Sequence, residues 1–425
     1  MQLPTRSLYI GMRATRIAIV AFTILQAPIA YGLQAAENEA SNGPAMPFRA
    51  PYVPKSPREV LQEVPSASNP QVLRMRELKE SLVAHPHDLQ NAVQLSSAYV
   101  DYGRQIGDAH YAGYAEAVIS PWLKEAMPPV SALVVHAVIL QYEHQFEPAL
   151  AELQRAVARD PNNQQAWLTM SFIEMTQGHY EEARNSCRHL GGRDALSTEI
   201  VCLATVKSLT GEAQSAKQIL TSIGGTMKGA NAPLAAWILG LRAEVAGRLG
   251  ESDQENRFYR DALSFAPEDD FLLVAYADFL LDQNRPKEVL GLLANQTQSD
   301  SAFLRIALAQ QALKSAELPK YTWIMAARFE ALTLRGSSLY DREQSRFVLH
   351  MLHDPQTALD LAQGDWKQQR APWDVRVSLE AALAANKPQA AAEVLAFIDR
   401  THLQDPTIEQ LAAKVRAQLP AGASR

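Results

Sequence analysis

Two cysteines, Cys187 and Cys202, are all that the 425 residues contain. No Cys-x-x-Cys pair exists, and HExxH, GxSxG and a phosphate-binding GxxxxGK[ST] loop are missing as well. Those spacings matter because they bring reactive atoms together. Without them the chain is expected to be no enzyme and to carry no cofactor. There is no excess of positive charge: 40 basic residues face 46 acidic ones, a net −6. Nonspecific nucleic-acid binding rests on phosphate neutralisation, so nucleic acid is not an expected partner. Beyond the first 35 residues no run is apolar enough to span a bilayer.

Those first 35 residues read as a secretory signal. Arg6, Arg13 and Arg16 precede the apolar run Ile17 to Leu25, and small residues follow at Ala30, Gly32 and Ala35. Cleavage is expected after Gly32 or Ala35. Removal takes away three arginines and no acid, which shifts the net charge from −6 to −9. No cysteine stands near the cleavage point, so no lipid anchor is indicated. A periplasmic or secreted protein is expected, with no stable membrane span once the signal is gone. Residues 36–69 are rich in Pro and Ser, lack periodicity and read as a linker. Residues 70–418 read as one repeat domain, and 419–425 as a fraying tail.

The repeat domain is organised around Ser131 to Leu190. Aligned at a period of 34, Leu133 matches Trp167, Phe146 matches Tyr180 and Ala149 matches Ala183. Each copy is two short amphipathic helices joined by a tight turn. One such hairpin cannot bury its own apolar face and must stack on neighbours. Ala216, Ala262, Ala358 and Ala391 repeat the small position, and Gly178, Gly211 and Gly250 repeat the turn. Pro286, Pro355 and Pro388 stand where a second helix begins, a place that tolerates proline because first-turn amides lack helical acceptors. The pattern predicts nine hairpins with flanking helices.

The spacing Trp167, Gly178, Tyr180, Ala183, with Pro161 closing the copy before, resembles the tetratricopeptide (TPR) repeat. The chain as a whole, including the stretches 107–122 and 341–352, is similar to exported bacterial tetratricopeptide proteins. The resemblance implies an all-α, right-handed α–α superhelix and a compartment, but no activity. It further implies that the first helix of each hairpin lines a concave groove. In this register the groove carries Val138, Tyr142, Leu168, Phe172, Met175, Trp237, Glu244, Asp278 and Asp282. Chaperone adaptors of this superfamily clamp a C-terminal carboxylate with lysine and asparagine in the groove. Here Val134, Val138, Leu168 and Phe172 hold those positions, so that function is not implied. The expected function is a scaffold binding a protein or peptide of unspecified identity. The alternative is an accessory protein holding a small ligand or metal through histidine and acidic positions.

Three polar sets enter that alternative. His85, His87 and Asp88 share a loop. Asp278 and Asp282 share a helical face, and Asp278 is expected to be exposed. Arg342, Glu343, Arg346 and His350 form an unusually charged helix, either a polar site or a buried ion network. Cys187 and Cys202 fall on adjacent helices, as one disulfide or as two buried thiols.

Overall fold

The computed structural model describes residues 69–191, 198–224, 232–334 and 341–419. The expected signal, all but the last residue of the linker, residues 420–425 and most of the loop after Ser222 lie outside these. Helix α1 (Pro70–Ala84) precedes nine antiparallel hairpins. They pair α2 (Leu89–Ile106) with α3 (His110–Leu123), α4 (Val130–Tyr142) with α5 (Phe146–Arg159), and α6 (Gln164–Thr176) with α7 (Tyr180–Arg188). Next come α8 (Thr198–Leu209) with α9 (Ala213–Gly224), α10 (Ala232–Arg248) with α11 (Ser252–Phe265), and α12 (Asp270–Asp282) with α13 (Pro286–Leu292). The last three pair α14 (Asp300–Ala312) with α15 (Leu318–Leu334), α16 (Asp341–Phe347) with α17 (Pro355–Trp366), and α18 (Pro372–Ala384) with α19 (Ala392–Thr401). Helix α20 (Pro406–Gln418) ends the stack. Among the described residues no strand occurs, and no helix is long and apolar enough to cross a membrane.

Local chemistry sets the boundaries. Several first helices open on a side-chain cap: Asp88, Asn163, Asp269 and Ser299 each accept the amide three residues on. Such a cap satisfies a donor that has no partner within the helix. Each hairpin then turns on one residue in the left-handed region. Glycine takes this place four times, at Gly107, Gly178, Gly211 and Gly250; His144, Asn284, Lys314, His353 and Asn386 take it in the other five. In eight of them the following amide bonds back five residues, as His179 N does to Glu174 O and Gln145 N to Leu140 O, which closes the first helix in a Schellman-type turn; after His353 the Asp354 amide reaches six back, to Val348 O. The small positions Ala149, Ala183, Ala216, Ala262 and Ala358 are all fully buried. Pro286 and Pro355 start their helices as expected, whereas Pro388 opens a short 3-10 turn, Pro388–Ala391, ahead of α19.

The stack winds tightly enough to meet itself. Gln105 donates to Glu268 at 2.8 Å, and a Cβ on Gly107 would collide with Ser299. Further along, the Arg370 amide donates to Thr176 O at 2.7 Å, and the Ala213 amide donates to the Gln404 side chain at 3.2 Å. The turn at Gly178 rests on Phe397, and the turn at Gly211 rests on His402. A Cβ at either glycine would come within 2.7 Å of its neighbour, so these two turns need glycine for space as well as for φ. The largest core cluster accordingly joins residues of α6–α8 to residues of α14–α20.

Cys187 and Cys202 are disulfide-bonded, with Cα atoms 5.6 Å apart and both residues fully buried. The bond ties α7 to α8. Closing a loop of this length (separation 15) restricts the unfolded chain. Replacing both cysteines by alanine is therefore expected to cost about 3 kcal/mol. Urea unfolding of the oxidised protein and the double variant measures it; coincident midpoints would show that the bond contributes nothing.

Candidate functional site: the inner face of the superhelix

First helices are apolar on nearly every side because each touches its own partner, the neighbouring hairpin and the inside of the superhelix. Helix α4 shows this, with Ala132, Leu133, Val134, Val135, Ala137, Ile139 and Leu140 all buried. Among the described residues, three cavities with shared walls lie along the inside. The first, 340 Å³, is lined by Val138, Tyr142, Leu168 and Phe172 among others. The second, 890 Å³, adjoins it at Arg104, Tyr142, His144 and Gln369. The third, 450 Å³, shares Phe172 and Thr176 with the first and Phe271, Val274 and Arg342 with the second. Burial, then the Arg342 charge, push His144 down to about 4, so it faces the first two cavities as a neutral ring.

Of the expected groove residues, Val138, Tyr142, Leu168 and Phe172 line the first cavity, and Phe172, Met175, Glu244, Asp278 and Asp282 line the third. Trp237 lines none of the three. It packs against the core of α8–α10 and meets Phe172 edge-on at 5.9 Å. The reading of Asp278 as an exposed acid is corrected: it is 2% exposed. Arg305 grips it through Nε at 3.0 Å and Nη2 at 2.7 Å, and Arg346 adds Nη2 at 2.9 Å. The helix turns Asp278 toward its neighbours α14 and α16, whereas Asp282, one turn on, reaches Arg376 of α18 at 2.6 Å.

Arg342, Glu343 and Arg346 belong to the same buried set. Glu343 pairs with Arg305, and Arg342 bridges Glu343 to Asp374 at 3.0 Å. Burial would raise the carboxyls of Asp278 and Glu343, but the arginines around them hold both below their usual range. His350 stands apart from this set. A π turn at Val348–Leu352 follows α16, and the ring lies 3.3 Å from Glu380 instead of near Glu343. Arg376 holds Glu380 as well, at 2.8 Å, and stacks on Trp373, whose ring also meets Arg346.

Arg305, Trp373, Arg376 and Glu255 were missed in the sequence. Arg305 had a signal: it is a charge inside the apolar run Phe303 to Ala307 on a first helix, where only a buried partner makes it tolerable. In the histidine loop Asp88 spends an oxygen capping α2, the His85 ring lies 3.3 Å from Ser81 O, and the Asp88 amide donates to His85 O at 3.0 Å. Among the described residues no three His, Cys, Asp or Glu side chains converge to hold a metal ion.

The family model described as tetratricopeptide repeat matches residues 140–200, from the end of α4 to the start of α8. No curated protein matches the chain. Among solved structures the chain is similar to a tetratricopeptide repeat protein from Parabacteroides merdae: 11% identity, TM-score 0.31, covering 77% of this chain and 98% of that one. It is also similar to a chain of the APC/C hetero-tetramer Cut9-Hcn1, at 12% identity and TM-score 0.29, covering 82% and 87%. A third is the human IFIT1 dimer with m7Gppp-AAAA, at 13% identity and TM-score 0.35, covering 80% and 85%.

Proposed function

We propose that this tetratricopeptide array is an exported scaffold that holds an extended peptide segment of a partner protein inside its superhelix. The observation that carries the reading is the run of three wall-sharing cavities along the first helices, the third of which is also walled by α18 and α20. Helical-repeat stacks supply surfaces, and their inner faces are where short segments dock. The seam between α6–α9 and the last hairpin keeps a folded partner out, so an extended segment is the form that fits. Its side chains meet a first cavity of mixed lining, with Val138, Leu168 and Phe172 beside Arg104 and Gln141, and a third that carries acids and arginines. Export is supported by the basic-then-apolar start and the small residues at 30–35. N-terminal sequencing of the mature protein should start near residue 33 or 36; an intact Met1 would sink the export reading.

Binding energy is expected to concentrate in a few large side chains. Phe172 is the best placed, since it is half-buried and lines both the first and the third cavity. Phe172→Ala should weaken partner capture by more than about 1 kcal/mol. The test is a photo-crosslinker at Tyr142 in cells, followed by mass spectrometry, with and without the Phe172 change. If adducts form and Phe172→Ala leaves their yield per folded protein unchanged, the cavity wall is packing alone. A truncated Phe172 acting only as core would instead lower stability by about 3–5 kcal/mol, read from the melting curve.

A further inference from the structure

The third cavity is chemically uneven. Its walls combine apolar surfaces, among them Phe172, Phe279 and Ile408, with four carboxylates near one end: Glu244, Glu255, Asp282 and Asp405. Three of these are answered. Arg248 meets Glu244 at 3.3 Å, Arg376 holds Asp282 with two bonds, and Asp405 caps α20 by accepting from the Thr407 and Ile408 amides. Glu255 is not: among the described residues nothing donates to its carboxylate. That carboxylate packs on α10 because residue 247 is glycine, where a Cβ would lie 2.8 Å from Oε1. No lysine lines any of the three cavities. Beside this corner, Arg248 is 9% exposed and donates only to Glu244, leaving its Nε and Nη1 without an acceptor. A buried donor without an acceptor is costly, so this guanidinium is built for a carbonyl or carboxylate oxygen that the chain itself does not provide.

We propose that the 450 Å³ cavity seats an arginine or lysine side chain of the bound peptide, its charge on Glu255 and an adjacent backbone carbonyl on Arg248. This rests on the peptide reading above. A free anion does not suit the corner, because Glu244, Asp282 and Asp405 repel it. A cation without an accompanying acceptor leaves Arg248 unanswered. A basic residue within a peptide satisfies both groups at once, and the apolar walls take its methylenes. Burial, then Asp282 and Asp405, push Glu255 up to about 8, with Arg248 opposing and Glu244 adding to the rise. A cation arriving at neutral pH therefore displaces a proton from Glu255.

Two fluorescein-labelled hexapeptides provide the test, one of alternating leucine and arginine, the other identical with citrulline for arginine. Citrulline keeps the shape and removes the charge. By anisotropy, the wild-type protein should prefer the arginine peptide by about tenfold or more, the weight of a charge-assisted hydrogen bond. Glu255→Gln should reduce that preference to about twofold or less while leaving the citrulline peptide's affinity unchanged, which is the loss of the charged partner alone. Folding of the variant is not in question, since glutamine keeps the shape and removes a strained acid; a melting curve at pH 8 at or above that of the wild type confirms it. Equal binding of both peptides would overturn the cation seat and leave the peptide reading standing. A preference that survives Glu255→Gln would overturn Glu255 as its source. Failure of both peptides to bind at about millimolar concentration, the weak end of specific association, would overturn both readings.

Discussion

Asp278→Ala will destabilise the protein by about 3–5 kcal/mol, the cost of removing one partner from a buried ion set. The carboxylate receives four charge-assisted contacts from Arg305 and Arg346, at 2.7 to 3.3 Å. Both guanidinia are buried, at 2% and 5% exposure. Without Asp278 they face each other with Glu343 as the nearest remaining anion. The set ties α12, α14, α16 and, through Arg342 and Asp374, α18, so its loss will loosen four successive hairpins together. Urea unfolding measures the effect, and a loss below about 1 kcal/mol would mean that solvent reaches the set. Asp282→Ala is the control. Its side chain is 37% exposed, and its pair with Arg376 should contribute less than about 1 kcal/mol. The sign with pH follows from the lowered carboxyls. Asp278 and Glu343 add stability that is fully present above their unfolded values of 3.8 and 4.5 and is lost progressively as pH falls from there through the still lower folded values. The wild type should therefore hold the set intact at pH 5, and Asp278→Ala should remove most of the difference between pH 5 and pH 3.

Phe397→Ala will cost a comparable amount, about 3–5 kcal/mol, for a different reason: it empties a closely packed site. Phe397 is 1% exposed, with its ring 5.4 Å from Trp366 and 6.0 Å from Tyr180. It sits directly under the Gly178 turn, so it belongs to the seam that closes the superhelix as well as to its own hairpin. Loss of the ring should speed hydrogen exchange at the Arg370 amide, which crosses the seam to Thr176. It should leave exchange in α2–α5 unchanged. A stability loss without faster exchange at Arg370 would show that the seam is held elsewhere, for example at Gly211 and His402.

Much of the architecture is legible because it is local. Helix periodicity, the recurring alanines at Ala149, Ala183 and Ala216, and prolines at helix starts depend on neighbours within one hairpin or the next. The nine hairpins follow from them. Even locally there are limits. Glycine announces a left-handed turn, while His144 and Lys314 adopt the same conformation without any mark in the sequence, because the stacked helices impose it and the residue bears the strain. The site was legible only by register. Tyr142, Leu168 and Phe172 could be placed on the inner face by counting, since α4, α6, α8 and α10 start 34 residues apart. Counting could not say that Asp278 faces Arg305 and Asp282 faces Arg376, one turn apart on the same helix.

The joined cavities of the interior were decided by tertiary structure alone. Superhelical pitch is the sum of small rotations between hairpins, each set by side-chain volumes at an interface, and no single repeat records the total. Residues such as Thr176 and Arg370, or Ala213 and Gln404, meet across about 190 positions of chain only because that total brings the last hairpin onto the third and fourth. The sequence determined the hairpins and their number. The winding determined that this face forms three joined cavities, that Asp278 is a buried ion-pair partner rather than a free acid, and that the Glu255 carboxylate has no hydrogen-bond donor among the described residues.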